Sequence, residues 1–258
     1  MPITSYILAL AISLGINLIF FIAAALFRTD KLTDLTYGLT FVILTLGFLF
    51  LGQTFYWHQI ALSIMVCLWA IRLISYLFVR ILKIKKDSRF DKIRENPWQF
   101  LKFWLLQGFS VWVILLPSFY LLAQKENKSL APVMVLGIGV WFLGLMIETV
   151  ADWQKFLFKN KPKNKDLWID SGLWACSRHP NYFGEMLVWW GIFIFASPLF
   201  WGWSWASVIG PVFITCLLLF VSGIPPLEKR YQKKYANNED YQDYKEKTSL
   251  LVLWPPKN

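Results

Sequence analysis

Charged side chains recur on one face of an apolar helical segment near the middle of the chain. Their spacing is i, i+4, i+7 and i+11, which places all four on the same face of a helix: Glu148, Asp152, Lys155 and Lys159. Ionisable groups in a long apolar segment are costly unless they face a cavity or a partner, so they mark a candidate functional site. A row of charged side chains with a purely structural role at a membrane interface would have the same spacing. The next polar segment favours a binding role.

That segment begins a second helix with groups that suit an anion. Pro180 fits the first turn of a helix, where its missing N–H costs nothing. The polar residues around this helix start are Arg178, His179, Asn181, Tyr182 and Glu185. A helix start offers free N–H groups and the positive end of the helix dipole, and Arg adds a bidentate phosphate donor. The pattern predicts a phosphate-bearing ligand.

A metal site is not expected at this helix start. His58 is the only other histidine, and Cys67, Cys176 and Cys216 are far apart without C-x-x-C spacing. This distribution supports neither a zinc site nor a disulfide framework. His179 is therefore interpreted as a neutral hydrogen-bonding group.

The C-terminal segment is the third polar cluster. It interleaves aromatic and basic residues, among them Arg230, Tyr231 and Tyr244. An interfacial amphipathic helix would have this composition, and so would a segment that closes over a nucleotide by stacking and charge pairing. The sequence contains no P-loop, G-x-S-x-G or G-x-G-x-x-G motif. A phosphate-bearing cofactor would thus be held by side chains and helix ends.

The elements that position these clusters are membrane spans. The 258 residues are 57% hydrophobic and 16% charged, whereas soluble domains average about 45–50% apolar and about 25% charged. Seven apolar runs approach the roughly 20 residues that cross a bilayer: 4–27, 36–53, 57–82, 100–123, 131–151, 183–199 and 203–223. The first run lacks a cleavage site and is interpreted as a retained span. We expect an all-α polytopic membrane protein, one domain over 1–258, with a cytosolic tail at 224–258.

Basic residues indicate the orientation of these spans. Of the 26 Lys and Arg residues, all except Arg72, Lys125 and Lys128 fall in segments on one side of the membrane. This asymmetry follows the positive-inside rule, and it explains the net charge of +10 without a nucleic-acid partner. We expect a periplasmic N-terminus and a cytosolic C-terminus in a bacterial inner membrane.

The chain combines four motifs, which are Glu148-x-x-x-Asp152-x-Gln154, the segment Gly172 to Glu185, Ser222-Gly-Ile-Pro-Pro-Leu-Glu-Lys-Arg230, and Tyr244 followed by Trp254-Pro-Pro. Together they resemble a bacterial family of unknown function (DUF1295-type) in the steroid 5α-reductase superfamily, which is related to isoprenylcysteine methyltransferase-like membrane enzymes. Weaker likeness at Leu35-Thr-Tyr-Gly38, Leu68-Trp-Ala-Ile-Arg72 and Arg89-Phe90…Arg94 extends the resemblance over most of the chain.

This resemblance implies seven transmembrane helices that bind NADPH between the later spans and the cytosolic loops. It implies hydride transfer to a carbon–carbon double bond conjugated to a carbonyl in a steroid-like or isoprenoid substrate. The implied cofactor-binding residues are Glu148, Asp152, Lys155, Lys159, Arg178, His179, Asn181, Tyr182, Glu185, Arg230, Tyr231 and Tyr244. Within this set, Lys155 and Lys159 would meet the 2′-phosphate or the diphosphate.

The residues that would bind the substrate do not match those of the eukaryotic steroid reductases. Eukaryotic steroid reductases polarise the substrate carbonyl with a Gln-Glu pair and a Tyr, and these do not carry over to this chain. Tyr37, Arg72 and Tyr76 are the remaining candidates for catalysis, with Tyr37, Tyr76 or an acid of raised pKa as proton donor. Arg72 and Tyr76 are four residues apart on one helical stripe, although a packed helix contact explains that spacing equally well.

Two other functions fit the same residues. Lipid and isoprenylcysteine methyltransferases carry a similar Arg-His-Pro-x-Tyr-x-Gly signature and use S-adenosylmethionine, which has no phosphate to occupy the basic face at 148–159. The third hypothesis is a non-catalytic lipid-binding protein. In each case the partners are membrane lipids and a lipophilic small molecule.

The charge asymmetry predicts the location of both ends of the chain. A reporter that is active only in the cytosol should be inactive when fused after Asn127 and active when fused at Asn258. Activity of the fusion at position 127 would contradict the seven-span topology.

Overall fold

The computed structural model describes residues 3–84 and 96–256, and within these ranges it contains helices and no β-strand. The α-helices are α1 Ile3–Leu26, α2 Leu32–Gly52, α3 Trp57–Ile84, α4 Pro97–Ile114, α5 Leu116–Leu122, α6 Pro132–Lys159, α7 Leu173–Cys176, α8 Pro180–Ala196, α9 Ile209–Cys216, α10 Ile224–Lys234 and α11 Glu239–Lys247. The expected all-α fold is confirmed. Arg89 and Arg94, which contribute to the resemblance, lie outside the described residues.

The helices confirm a polytopic membrane protein. Six of them are long and apolar enough to cross a membrane, and α4 with α5 makes a seventh span if this bent pair is counted as one. The pair bends by 50°, whereas the sequence run 100–123 suggested one straight span. Pro117 lies in the first turn of α5. Its ring removes a backbone N–H and disfavours the α conformation of the residue before it, which accounts for the break.

Helical structure continues past the end that the sequence predicted for the last span. Helical structure extends from Gly202 to Lys234, through a 3₁₀ segment, α9, a π-helical turn at Leu217–Val221 and α10. Hydropathy falls after residue 223, so the prediction ended the span there. The two prolines after Ile224 lie in the first turn of α10, where proline is tolerated, and they begin a helix instead of ending one.

Contacts within the chain define two compact units. The first comprises the described residues to 135 together with 192–210, and the second comprises 136–191 and 211–256. The expectation of a single domain over the whole chain stays a prediction.

A buried hydrogen-bond network joins α1, α2 and α4 in the first unit. Ser13 Oγ donates to the carbonyl of Gly108 over 2.7 Å, and Asn17 Nδ2 donates to the carbonyl of Ser13 over 2.9 Å. Gln107 Nε2 donates to Asn17 Oδ1 over 3.0 Å and to the carbonyl of Thr33 over 3.2 Å. In a bilayer, polar groups have no water to bind, so such pairing between helices is what makes these side chains tolerable there.

In the second unit, α6 and α8 approach each other closely at two glycines. A Cβ on Gly144 would lie 2.7 Å from the carbonyl oxygen of Gly184. A Cβ on Gly184 would lie 2.6 Å from the backbone nitrogen of Glu148. Small residues allow helix backbones in a membrane to touch in this way. The contact brings the polar face of α6 next to the first turns of α8.

Substitution of these glycines tests the contact. Gly144→Ala should lower the stability of the protein by about 1–3 kcal/mol, because the added methyl group overpacks the helix crossing. Gly139, on the same helix, has nothing within 4 Å of an added Cβ. Gly139→Ala should therefore be neutral or stabilise by up to about 1 kcal/mol through helix propensity. Thermal unfolding in detergent measures both, and equal effects of the two substitutions would contradict the close crossing.

Candidate functional site

The polar faces of α6 and α8 meet at Asp152 and Asn181. Asn181 Nδ2 donates to Asp152 Oδ1 over 3.2 Å. Asp152 and Glu148, one turn earlier, are both buried, and Glu185 is half-buried on α8. The Asn181 Oδ1 atom is buried and has no hydrogen-bond partner within residues 3–84 and 96–256. Two residues that the sequence singled out separately are thus in contact, and one of them retains a buried acceptor.

Glu228 of α10 joins Arg178 and His179. Arg178 Nη1 donates to Glu228 Oε2, and His179 Nε2 lies 2.8 Å from Glu228 Oε1. The Tyr182 ring stacks on the imidazole with centroids 5.7 Å apart and an interplanar angle of 11°. One carboxylate therefore fixes the two basic side chains that precede α8.

Burial determines the charge of His179. The residue is 1% exposed, and this burial lowers the pKa of the imidazole below its usual 6.5, although the hydrogen bond to Glu228 acts in the opposite direction. A neutral ring that donates from Nε2 to the carboxylate must have an unprotonated Nδ1. This Nδ1 is buried and has no hydrogen-bond partner in the described parts of the chain. It is a second buried acceptor, in addition to Asn181 Oδ1.

The two lysines of α6 lie in different surroundings. Lys155 Nζ lies 4.4 Å from the centre of the Trp174 ring, within the range of a cation–π contact. Trp174 is buried, and its Nε1 donates to the carbonyl of Ala151 over 3.0 Å. Lys159 is exposed, and its Nζ donates to the carbonyl of Leu167 over 2.6 Å. The sequence treated these lysines as equivalent, and the structure distinguishes them.

Gly172 allows α7 to pack against α6. Its φ of 65° lies in the region that favours glycine, and an added Cβ would lie 2.7 Å from Gln154 Oε1. The same oxygen accepts a hydrogen bond from the Leu173 backbone N–H over 3.0 Å. Gln154 thereby ties the start of α7 to α6, which sets the path of the chain toward Arg178.

The C-terminal segment runs along the residues before α8. Three hydrogen bonds join the two stretches: Arg178 N to Ser249 O at 2.8 Å, Ser177 Oγ to Leu251 O at 2.7 Å, and Trp254 N to Cys176 O at 3.2 Å. Ser177 Oγ also accepts from the His179 backbone N–H over 3.1 Å. The tail therefore supports the extended backbone that presents Arg178 and His179.

An aromatic cluster packs beside this support. Its members are Trp168, Tyr231, Tyr235, Tyr241 and Tyr244. The cavity that it shares with Arg178 and Glu228 holds about 10 Å³, room for about one water molecule. Burial raises the pKa of Tyr241 to about 12 and also raises that of Tyr244, so both phenols remain protonated. Tyr244 donates to the carbonyl of Trp174 over 2.8 Å, whereas Arg230 is exposed.

The three catalytic candidates lie in the first unit and are half-buried: Tyr37, Arg72 and Tyr76. The Tyr37 ring packs edge-to-face on Phe41 at 5.1 Å, and Phe41 packs in the same way on Trp69 of α3. Gly38 permits this approach, because a Cβ there would collide with the side chain of Ile74. The predicted cofactor residues all lie in the second unit.

Sequence reasoning did not assign a role to Glu228, Gln154, Trp174 or Ser177. Glu228 had a usable signal, since it is an acidic residue two positions after a Pro-Pro helix start in a strongly basic segment. Gln154 and Trp174 lay inside the motifs already noted, and only the folded chain brings them together.

Comparisons with known proteins give a match to a family model and a partial match to a sterol reductase. A family model described as "Protein of unknown function (DUF1295)" matches residues 20–248. A stretch of 115 residues is 29% identical to the Delta(14)-sterol reductase of Arabidopsis thaliana, covering 39% of this chain and 30% of that protein. The chain thus matches less than a third of the length of this relative. No solved structure matches the chain.

Removal of the Glu228 charge tests its part in the site. Glu228→Gln should destabilise the protein by about 1.5–3 kcal/mol, because it weakens charge-assisted hydrogen bonds to two partly buried groups. The matched control is Asp166→Asn, which alters the exposed ion pair of Asp166 with Lys234 and should change little, as exposed pairs do. Thermal unfolding measures both variants. If Glu228→Gln is as well tolerated as the control, the carboxylate does not hold Arg178 and His179.

Proposed function

We propose that this chain, which belongs to the DUF1295 family, is a membrane reductase of a lipid-soluble substrate. The proposed reaction uses NADPH to reduce a carbon–carbon double bond conjugated to a carbonyl. The observation that carries the proposal is the pair of buried unpartnered acceptors at the start of α8, Asn181 Oδ1 and His179 Nδ1. Asn181 is also in contact with the buried Asp152 of α6. The partial identity to a sterol reductase supports the reaction class.

The acceptors fit a nicotinamide carboxamide. That group carries two N–H donors, and an acceptor buried without a partner costs free energy that a donor from a ligand would recover. Asn181 is held by its bond to Asp152, and His179 by its contact with Glu228. Both acceptors are therefore fixed in advance, which reduces the entropy lost on binding.

The basic groups of the second unit fit the phosphates. Arg178 precedes α8, whose first turn offers unpaired N–H groups and the positive end of a dipole. Lys155 is held beside Trp174. Lys159 and Arg230 are exposed, so their charges would be accessible to a 2′-phosphate or diphosphate. In the proposed topology these residues face the cytosol, the compartment that holds NADPH.

When bound, NADPH would supply the hydride. The residues of the chain would orient it, exclude water and supply the proton. The candidates for the proton donor remain those of the sequence, Tyr37 and Tyr76, and Arg72 remains the candidate for stabilising negative charge on the carbonyl oxygen. The surrounding apolar helices would exclude water from the reaction and strengthen these interactions.

Ligand-dependent stabilisation tests the cofactor. NADPH should raise the unfolding temperature of the purified protein more than NADH does, because only NADPH carries the 2′-phosphate. A ligand at 100 times its dissociation constant stabilises a protein by about 2.7 kcal/mol, which sets the size of the expected effect. Lys155→Met keeps an apolar stem over Trp174 but removes the charge. It should weaken NADPH binding by about 1.5–3 kcal/mol and leave NADH binding almost unchanged.

Lys163→Met, in the exposed loop after α6, is the control and should alter neither nucleotide. Equal losses of NADPH and NADH affinity in Lys155→Met would reject a contact of this lysine with the 2′-phosphate. Stabilisation by S-adenosylmethionine alone would instead support the methyltransferase alternative.

A further inference from the structure

The turn that connects α2 to α3 in the first unit has an unusual backbone. Gln53 and Phe55 both adopt left-handed conformations, with φ of 56° and 47°. Residues other than glycine are strained in this region, and such strain persists only where the surrounding structure enforces it.

Gln59 fastens the turn to the segment after α5. Its Oε1 accepts hydrogen bonds from Thr54 Oγ1 over 2.8 Å and from the Tyr56 backbone N–H over 3.0 Å. Its Nε2 donates to the carbonyls of Leu122 and Gln124 over 3.0 and 2.9 Å. The side chain is 1% exposed, and its amide is fully used in structure.

The two aromatic residues before Gln59 also bind this segment. Tyr56 donates its hydroxyl proton to the carbonyl of Lys125 over 3.0 Å, and Trp57 Nε1 donates to the carbonyl of Lys128 over 2.6 Å. Every polar side chain from Thr54 to Gln59 thus has a hydrogen-bond partner, with one exception.

That exception is His58. It is 0% exposed, and neither of its ring nitrogens has a hydrogen-bond partner within residues 3–84 and 96–256. The ring stacks on Tyr56 at 5.7 Å and meets the edge of Trp57 at the same distance. Thr45, Ser118 and Trp104 of this unit each have one unpartnered hydroxyl or indole group. An imidazole has one donor and one acceptor, and here both are unmatched.

We propose that His58 is the hydrogen-bonding residue of a site in the first unit for the hydroxyl group of a lipid-soluble alcohol. A hydroxyl can donate to the unprotonated nitrogen or accept from the N–H, so it suits either tautomer. The aromatic rings around the imidazole suit the apolar body of such a molecule. The identification of this alcohol as the substrate rests on the proposed function. A lipophilic substrate with one polar end would use both the imidazole and the aromatic rings around it.

Paired ligands that differ by one hydroxyl group test the site. The probes are cholesterol with its 3-deoxy counterpart 5-cholestene, and geranylgeraniol with the corresponding hydrocarbon. Dissociation constants are measured on the purified full chain in detergent without nucleotide. The wild type should bind the alcohol of at least one pair about two- to tenfold more tightly than the hydrocarbon, the worth of one neutral hydrogen bond. This preference should vanish in His58→Phe and persist in part in His58→Gln.

The unfolding temperature of the same variants gives the second measurement. His58→Phe should melt at or above the wild-type temperature without ligand, because it removes an unsatisfied polar group. The control is Trp112→Phe, which removes the hydrogen bond of Trp112 Nε1 to the Tyr6 carbonyl. It should melt lower and keep the preference for the alcohol.

Three results would overturn the proposal: no preference for the alcohol in either pair, a preference that survives in His58→Phe, or a fall in the melting temperature of His58→Phe as large as that of the control. The last would mean that the imidazole already has a structural partner. Because no nucleotide is used, failure here leaves the NADPH proposal standing, and failure of the cofactor screen leaves this site standing.

Discussion

At Gly144 and Gly184 the backbones of α6 and α8 come into contact, and the polar side chains of the second unit depend on that contact. The distance between the helix axes decides whether Asn181 reaches Asp152, because both side chains are short. A larger residue at either glycine would separate the helices by about the width of a methyl group. The buried carboxylates would then face a gap instead of an amide, which is a costly arrangement within a membrane.

The Arg178–His179 pair is held by three parts of the chain that are distant in sequence. Gln154 of α6 fixes α7, Glu228 of α10 binds both side chains, and the backbone at Ser249 holds Arg178. The contributions of Gln154 and of the Ser249 backbone are ordinary hydrogen bonds, whereas those of Glu228 are charge-assisted. Together they restrict a short segment that has few apolar contacts of its own. The C-terminal tail therefore supports the site by its backbone, in addition to any role that its tyrosines have.

The features predicted from the sequence are those that depend on local information. Span positions follow from apolar runs, the start of α8 at Pro180 follows from proline chemistry, and the shared face of Glu148 and Asp152 follows from helical periodicity. The bend before Pro117 and the continuation of the helix to Lys234 were missed. Both depend on the position of a proline within a helical turn, which hydropathy does not register. The pairing of Glu228 with Arg178 and His179 was also missed, since a partner about 50 residues away leaves no periodic trace. No finding tests Tyr37, Arg72 and Tyr76 as catalytic groups.

Buried polar groups in this protein fall into two kinds, and the difference bears on function. Asn17 and Gln107 bind each other and nearby helices, which is how a membrane helix makes a polar side chain tolerable. Asn181, His179 and His58 each keep a buried atom for which residues 3–84 and 96–256 supply no partner. An unmet acceptor or donor in an apolar medium lowers stability, and an apolar side chain of similar size would avoid that cost. Since folding gains nothing from these atoms, their contribution is to be sought in binding, where a ligand that supplies the missing partner recovers the free energy as affinity.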